Sequence, residues 1–270
     1  MASIENRGKI FSLFMTAMVA GLIFLPVVSA DDEAKTLLGD FLKENNVEVE
    51  VSGEVAYYNK YIWRGFLLDN DPVVQPSVTL SAFGFEGGFW GSWDVVQDDA
   101  RASDEVDGWI GYSFDLGFIN ENLSVVGISA GNTWYSFPTA DGYTKELYVG
   151  LSLDVLLSPY FTWYQDYGDE AQGGADGNYY MVGISHSFDL IKEYGITLDL
   201  GEEVGFNNEA FIVGDGGYYM TTVGLTVPLT GTLTMAPNVG WTFPFGDLED
   251  AADGAQEQEF FAGVALSAAF

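Results

Sequence analysis

Cysteine is absent from the chain, which excludes disulfides, thiolate metal sites and cysteine nucleophiles. Basic residues are scarce: 9 Lys and Arg face 40 Asp and Glu, a net charge of −31 over 270 residues. A chain this acidic repels the phosphate backbone, so nucleic acid is excluded as a partner. Histidine occurs once, as His186, so imidazole-based hydrolysis would rest on a single side chain. Long apolar runs are missing beyond the first 30 residues, which leaves no later membrane helix. What is plentiful is aromatic, at 16%, and β-branched. Disordered chains are poor in both, so this one is expected to fold, with its acidity confined to particular places.

The opening MASIENRGKIFSLFMTAMVAGLIFLPVVSA carries Arg7 and Lys9, an apolar run from Ile10 to Val28, and the small residues Ser29 and Ala30. That order belongs to a secretory signal peptide, residues 1–30, cleaved after Ala30; an uncleaved anchor is the alternative. Losing Glu5, Arg7 and Lys9 takes the net charge from −31 to −32. Residues 31–46 follow with a helical period. Ala34, Leu37, Leu38, Phe41 and Leu42 share one stripe, and a periplasmic amphipathic segment is expected there.

From Val47 the period changes to two. Val47, Val49, Val51, Val55, Tyr57, Tyr61 and Trp63 fall on one face, opposite Glu48, Glu50, Ser52, Glu54, Tyr58, Lys60 and Arg64. After this strand over 47–63, others are expected near 73–83, 85–97, 105–115, 123–136, 143–154, 158–167, 178–188, 195–206, 218–229, 232–244 and 258–270. Near 123–136 both faces are mixed, and near 158–167 aromatics lie on both, so the period chooses no register there. Connections alternate between short turns and longer acidic loops such as QDDARASDE and GDLEDAADGAQEQE. Two distinct ends follow: periplasmic turns and extracellular loops.

Soluble sandwiches also alternate, so the polar face decides. In TTVGLTVPLTGTLTMAPNVGWTF it is Thr, Gly and Asn rather than Lys and Glu, which suits a narrow hydrated lumen better than bulk water. Aromatics near strand ends form two girdles: Tyr57, Tyr61, Trp63, Trp93, Tyr143, Tyr219, Trp241 and Phe243 at the loop end, and Phe85, Phe114 and Phe188 at the turn end. The expected fold is therefore all-β, a transmembrane antiparallel up-and-down barrel of about 12 strands over residues 47–270. Lining the pore are Glu54, Tyr58, Lys60, Arg64, Trp90, Asp94, Asp107, Glu146, Asp199 and Glu203. Glu202 cannot share the inner face with Glu203 in a regular strand. It is assigned to the loop end, where a charge on the outer face costs little or a bulge turns both inward. The final EFFAGVALSAAF alternates to the last residue, with Leu266, Ala268 and Phe270 on the lipid-facing row, and must pair with 47–63 to close the ring.

The stretch YYNKYIWRGFLLDNDPVVQPSVTLSAFG resembles the TorF-like porins of Gram-negative outer membranes through Tyr61, Trp63, Arg64, Gly65, Asp71, Pro72 and Gln75. WYSFP, KELYVGLSLD, NYYMVGISHSFDL and GITLDLGEEVGF are similar too. Trp63 and residues 66–68 depart from the family's smaller or polar residues. The resemblance implies a barrel in the bacterial outer membrane. It also makes Phe270, with Ala268 and Leu266, the C-terminal signal read by the barrel-assembly machinery.

No residue constellation points to an enzyme. Ser185 and Ser187 face away from His186, and the acids Asp94, Asp107, Glu146 and Glu203 are not fixed into a pair by any spacing. No strand-to-helix unit surrounds GDGG. DLEDAADGAQEQ places Ala251 and Phe260 where a calcium loop needs ligands. No cofactor and no dedicated metal site is expected. The expected function is a narrow porin for passive diffusion of small solutes, with acids favouring cations. Alternatives are a closed adhesion barrel acting through its acidic loops, or a substrate-specific channel, for example for nucleosides. The expected partners are outer-membrane lipid and lipopolysaccharide, bridged by divalent cations on the loops.

Overall fold

The computed structural model describes residues 49–96, 104–140, 142–169, 174–210, 215–250 and 255–270. The expected signal peptide and the 31–46 segment lie outside the described residues. Fourteen strands are present: β1 (Val49–Tyr58), β2 (Tyr61–Trp63), β3 (Phe66–Asp69), β4 (Val73–Ala82), β5 (Phe85–Asp94), β6 (Glu105–Asp115), β7 (Val126–Phe137), β8 (Gly142–Leu153), β9 (Tyr160–Asp166), β10 (Asn178–Ile191), β11 (Ile196–Asn208), β12 (Asp215–Pro228), β13 (Leu233–Gly246) and β14 (Glu259–Ala269). Twelve of them close into an antiparallel barrel in which each strand pairs with its sequence neighbours. The exception is β2 and β3, which pair only with each other.

Closure joins the ends of the chain. β1 pairs with β14 from Ser52 opposite Ala269 to Tyr58 opposite Gly263. One step further, Phe270 N–H donates to the Val51 carbonyl at 2.9 Å, and Val51 N–H returns the bond at 3.2 Å. The aromatic last residue is therefore a ladder member, with its ring outside the barrel and half exposed.

The two faces separate as the period demands. Leu80, Phe89, Ile110, Val149, Val182 and Leu266 point outward and are each roughly half exposed. Apolar surface this continuous is not sustained in water, and it is what a barrel presents to lipid. Inward lie small and polar residues and a set of tyrosines. Both ambiguous registers resolve. In β7, Tyr135 is buried inside and Trp134 is exposed outside, opposite Thr144 and Lys145. The outer row there also carries Ala130 and Asn132, which is why its polarity blurred. In β9, Tyr164 faces Tyr148 and Tyr179 inside, while Trp163 bonds Asn178 through its indole N–H at 2.9 Å.

Three expectations are corrected. The first strand stops at Tyr58, because the chain bends at Asn59 and Lys60. Tyr61 and Trp63 therefore leave the outer row and enter the lumen instead of forming a girdle. Trp93 keeps its outer-row position with its ring over Gly91, but it is only 5% exposed. Glu202 sits on the outer face without a bulge: β10, β11 and β12 run in regular register through it, and it is six residues from either end of β11. Its carboxylate accepts from the Thr221 hydroxyl at 2.8 Å and from the Tyr219 hydroxyl, both on β12. Two charge-assisted bonds offset part of the cost of an acid at that depth.

Candidate functional site

The β2–β3 hairpin is the feature that shapes the lumen. Its tip, Arg64–Gly65, has φ of +48° and +80°. Positive φ at both central positions is the primed hairpin turn, and glycine is suited to the second of them. Space imposes the same choice: a Cβ on Gly65 would lie 2.7 Å from the Tyr218 ring. The tip is thus seated on the wall at β12.

The remaining contacts trace a crossing. Lys60, at the root, donates to Glu259 of β14 at 2.7 Å. Tyr61 donates to Glu105 of β6 at 2.9 Å and packs on Trp90 of β5, with ring centroids 5.6 Å apart. Arg64 forks onto Glu146 of β8 through two bonds, 2.7 and 2.9 Å. Its guanidinium also lies 4.1 Å from the Tyr164 ring centroid on β9 and 4.4 Å from that of Tyr179 on β10. In the ring of twelve strands, β9 stands six places from β1. The hairpin leaves one wall and lands on the wall opposite.

An apolar cluster receives it there. Tyr179, Ala210, Tyr218 and Leu248 are buried together at the loop end, and Phe66 of β3 packs against them. Burying an aromatic of this size contributes about 1.5–3 kcal/mol. Gly205 makes room for the cluster: a Cβ there would meet the Tyr179 hydroxyl and the Tyr218 ring.

Beneath the hairpin lies a cavity of about 770 Å³, lined by Tyr58, Trp90, Trp109, Asp107, Asp199 and Phe261 among others. Most residues expected to line the pore are found on its walls or around the hairpin. Tyr58 packs edge-on to Phe261 and receives a bond from Asn238. Asp199 accepts from Thr197 and Thr226 at 2.9 and 2.8 Å. Glu203 accepts from Tyr160 at 2.6 Å and from Tyr218. Glu54 is on the inner row of β1, between Ser77 and Ser267. Asp94 is also on an inner row but buried at the loop end of β5, where it accepts from Val96 N–H at 2.8 Å and does not reach the cavity. His186 packs edge-on to Phe188 on the outer row, and Ser185 lines the cavity from the other face.

Tyr61, Trp63, Glu105, Tyr135 and Tyr164 belong to the site and were not expected there. Tyr135 completes the Arg64 anchor by donating to Glu146 at 2.6 Å. Glu105 had a sequence signal, its spacing of two from Asp107, which puts both on one face of a strand.

The charge balance of this lumen follows. Both of its described bases, Lys60 and Arg64, are held by acids, Glu259 and Glu146. Glu54, Asp199 and Glu203 have no basic partner among the described residues. The interior thus carries net negative charge beside aromatic faces.

No family model and no curated protein matches the chain. Solved structures do. The KdgM porin aligns at a TM-score of 0.52 with 12% identity, covering 82% of this chain and 99% of that one. The KdgM porin in complex with disordered oligogalacturonate gives the same values. The NanC porin aligns at 0.46 with 12% identity, over 82% and 99% of the two chains. At 12% identity the alignment with the KdgM porin speaks for the fold alone, a porin-like barrel.

Proposed function

We propose that the protein is a bacterial outer-membrane channel for passive diffusion of small solutes, narrowed by the β2–β3 hairpin and selective for cations. The observation that carries this reading is the asymmetry of charge inside the barrel. Both described bases are neutralised in place, and several acids are not. Permeating cations meet uncompensated carboxylates, whereas anions meet no free base among the described residues. The oligogalacturonate held by the KdgM porin is a polyanion, and a like cargo is disfavoured here by the same balance.

Reversal potential under a salt gradient across a planar bilayer tests the selectivity. A cation-favouring sign is expected, and it should weaken when Asp199 and Glu203 are both changed to their amides. An anion-favouring sign refutes the proposal. A substrate-specific channel is the second reading, supported by Tyr58, Trp90, Trp109 and Phe261 around the cavity, which offer faces for stacking on ring-shaped solutes. Block of the same current by nucleosides separates it from simple diffusion. A barrel that never conducts would instead fit an adhesion role through its acidic loops.

The rest of the reading concerns delivery. Residues 1–30 serve as the cleaved leader and 31–46 as a periplasmic segment. The resemblance to TorF-like porins extends to Phe270, with Ala268 and Leu266, as the signal for the assembly machinery. Deleting Phe270 removes the last two ladder bonds as well as the ring. We expect the heat-modifiable folded band in outer-membrane fractions to fall sharply, while Phe270→Tyr keeps it. Full assembly of the deletion variant would refute that role. On the outside, divalent cations on the acidic loops are taken to bridge to lipopolysaccharide.

A further inference from the structure

Glu105 and Asp107 stand side by side on the inner row of β6, near its loop end. They are 3% and 7% exposed, and the two carboxyl groups are within hydrogen-bonding reach of each other. Two buried carboxylates in contact repel unless a proton or a cation lies between them. The groups nearby offer no positive charge. Tyr61 gives Glu105 a neutral hydroxyl, and the next acid along, Glu146, already holds Arg64. Lys60 is engaged by Glu259. Most telling, Asp107 Oδ1 is fully buried and has no hydrogen-bond partner among the described residues. An orphaned carboxylate oxygen at that depth is costly, and it marks the position of a missing partner.

The neighbouring strand adds a hydroxyl oxygen to the pair. Ser92 of β5 sits opposite Glu105 in the ladder, and its hydroxyl oxygen is fixed there by accepting from the Gln75 amide nitrogen of β4 at 3.2 Å. Gln75 and Asp107 both line the cavity, so water can complete a coordination shell from that side. Carboxylates, a hydroxyl and water belong to the donor set of a hard cation.

We infer that Glu105 and Asp107 hold a hard divalent cation of the calcium class at the root of the β2–β3 hairpin. Tyr61 closes the site from the hairpin side. The inference requires a solvated lumen and not permeation. Cation binding without conductance would refute the channel reading and leave this one standing.

The test uses the full mature barrel refolded in detergent, with Tb³⁺ as probe and Ca²⁺ as competitor. Trp90, packed on Tyr61, should sensitise the emission of a lanthanide bound here. Saturable emission displaced by Ca²⁺ is expected. Asp107→Asn and Glu105→Gln should each weaken binding by at least the ~10–100-fold seen for outer-sphere ligand changes. Trp90→Phe should lower the intensity without moving the half-saturation point, which separates this site from ions held in the acidic loops. Heat-modifiability of each variant checks its folding. Emission that persists unchanged in Asp107→Asn, or a wild-type protein with no saturable emission, overturns the inference. The second outcome means that the pair shares a proton.

Discussion

Arg64→Ala should raise single-channel conductance severalfold and make the current noisier. Arg64 ties the hairpin to the far wall by a two-pronged bond to Glu146, with Tyr135 bonding the same carboxylate and three aromatic rings around the guanidinium. Alanine removes the fork and the ring contacts at once and leaves only the Tyr135 bond to Glu146. It also leaves Glu146, whose side chain is 1% exposed, with a hydroxyl partner only. Breaking one side of a buried pair costs about 3–5 kcal/mol, and lumen water will reduce that figure here. Full burial of a phenylalanine contributes about 1.5–3 kcal/mol, and the partly buried Phe66 contributes less than the buried, unpaired Glu146 carboxylate costs. The hairpin should therefore spend time away from the far wall, which is the source of the added current. Arg64→Lys discriminates between charge and geometry. Lysine keeps the charge but cannot form the fork or stack on Tyr164 and Tyr179, so its conductance should lie between the two. Conductance in Arg64→Ala equal to wild type would mean that the hairpin does not limit flow.

A matched pair of arginine insertions should differ strongly in stability. Phe89 lies near the centre of β5 on the outer row and is 57% exposed; Thr222 lies near the centre of β12 and lines the cavity. Phe89→Arg places a cation against lipid hydrocarbon at a cost of about 2–4 kcal/mol. Thr222→Arg places it in a hydrated space among acids, with little loss of stability and a clear loss of cation preference. Urea unfolding in lipid vesicles, scored by heat-modifiability, reads the first. Reversal potential reads the second. Equal destabilisation by both would contradict the assignment of lipid and lumen faces.

The barrel was legible from the alternation because period two reports faces directly, and lipid tolerates little deviation from it. The twelve strands and the closing pair follow from that one signal. The hairpin was not legible, because Tyr61 and Trp63 continue the outer alternation of β1 without a break. What ends the strand is the bend at Asn59 and Lys60, and only the far wall gives it a reason. The aromatics carry the same ambiguity: Tyr135, Tyr164 and Trp93 are chemically suited to an interface girdle and to a packed interior alike. Glu202 was misplaced along its strand for another reason. Its partners, Tyr219 and Thr221, lie on the next strand, and cross-strand satisfaction has no trace in the local pattern. Glu105 ends the acidic run QDDARASDE and opens the strand, and its spacing from Asp107 puts both on one face.

Pairing of β1 with β14 also sets an order in time. The first barrel strand finds β4 as a near neighbour in sequence, but its other edge has no partner until β14 is present. Arg64 likewise waits for β8 to β10 before it has an acid or a ring to rest on. Through most of its synthesis the chain therefore carries an open strand edge at its front, the kind of edge that recruits other chains. The edge stays open until β14 is present, whereas the hairpin can lock as soon as β8 to β10 stand opposite it.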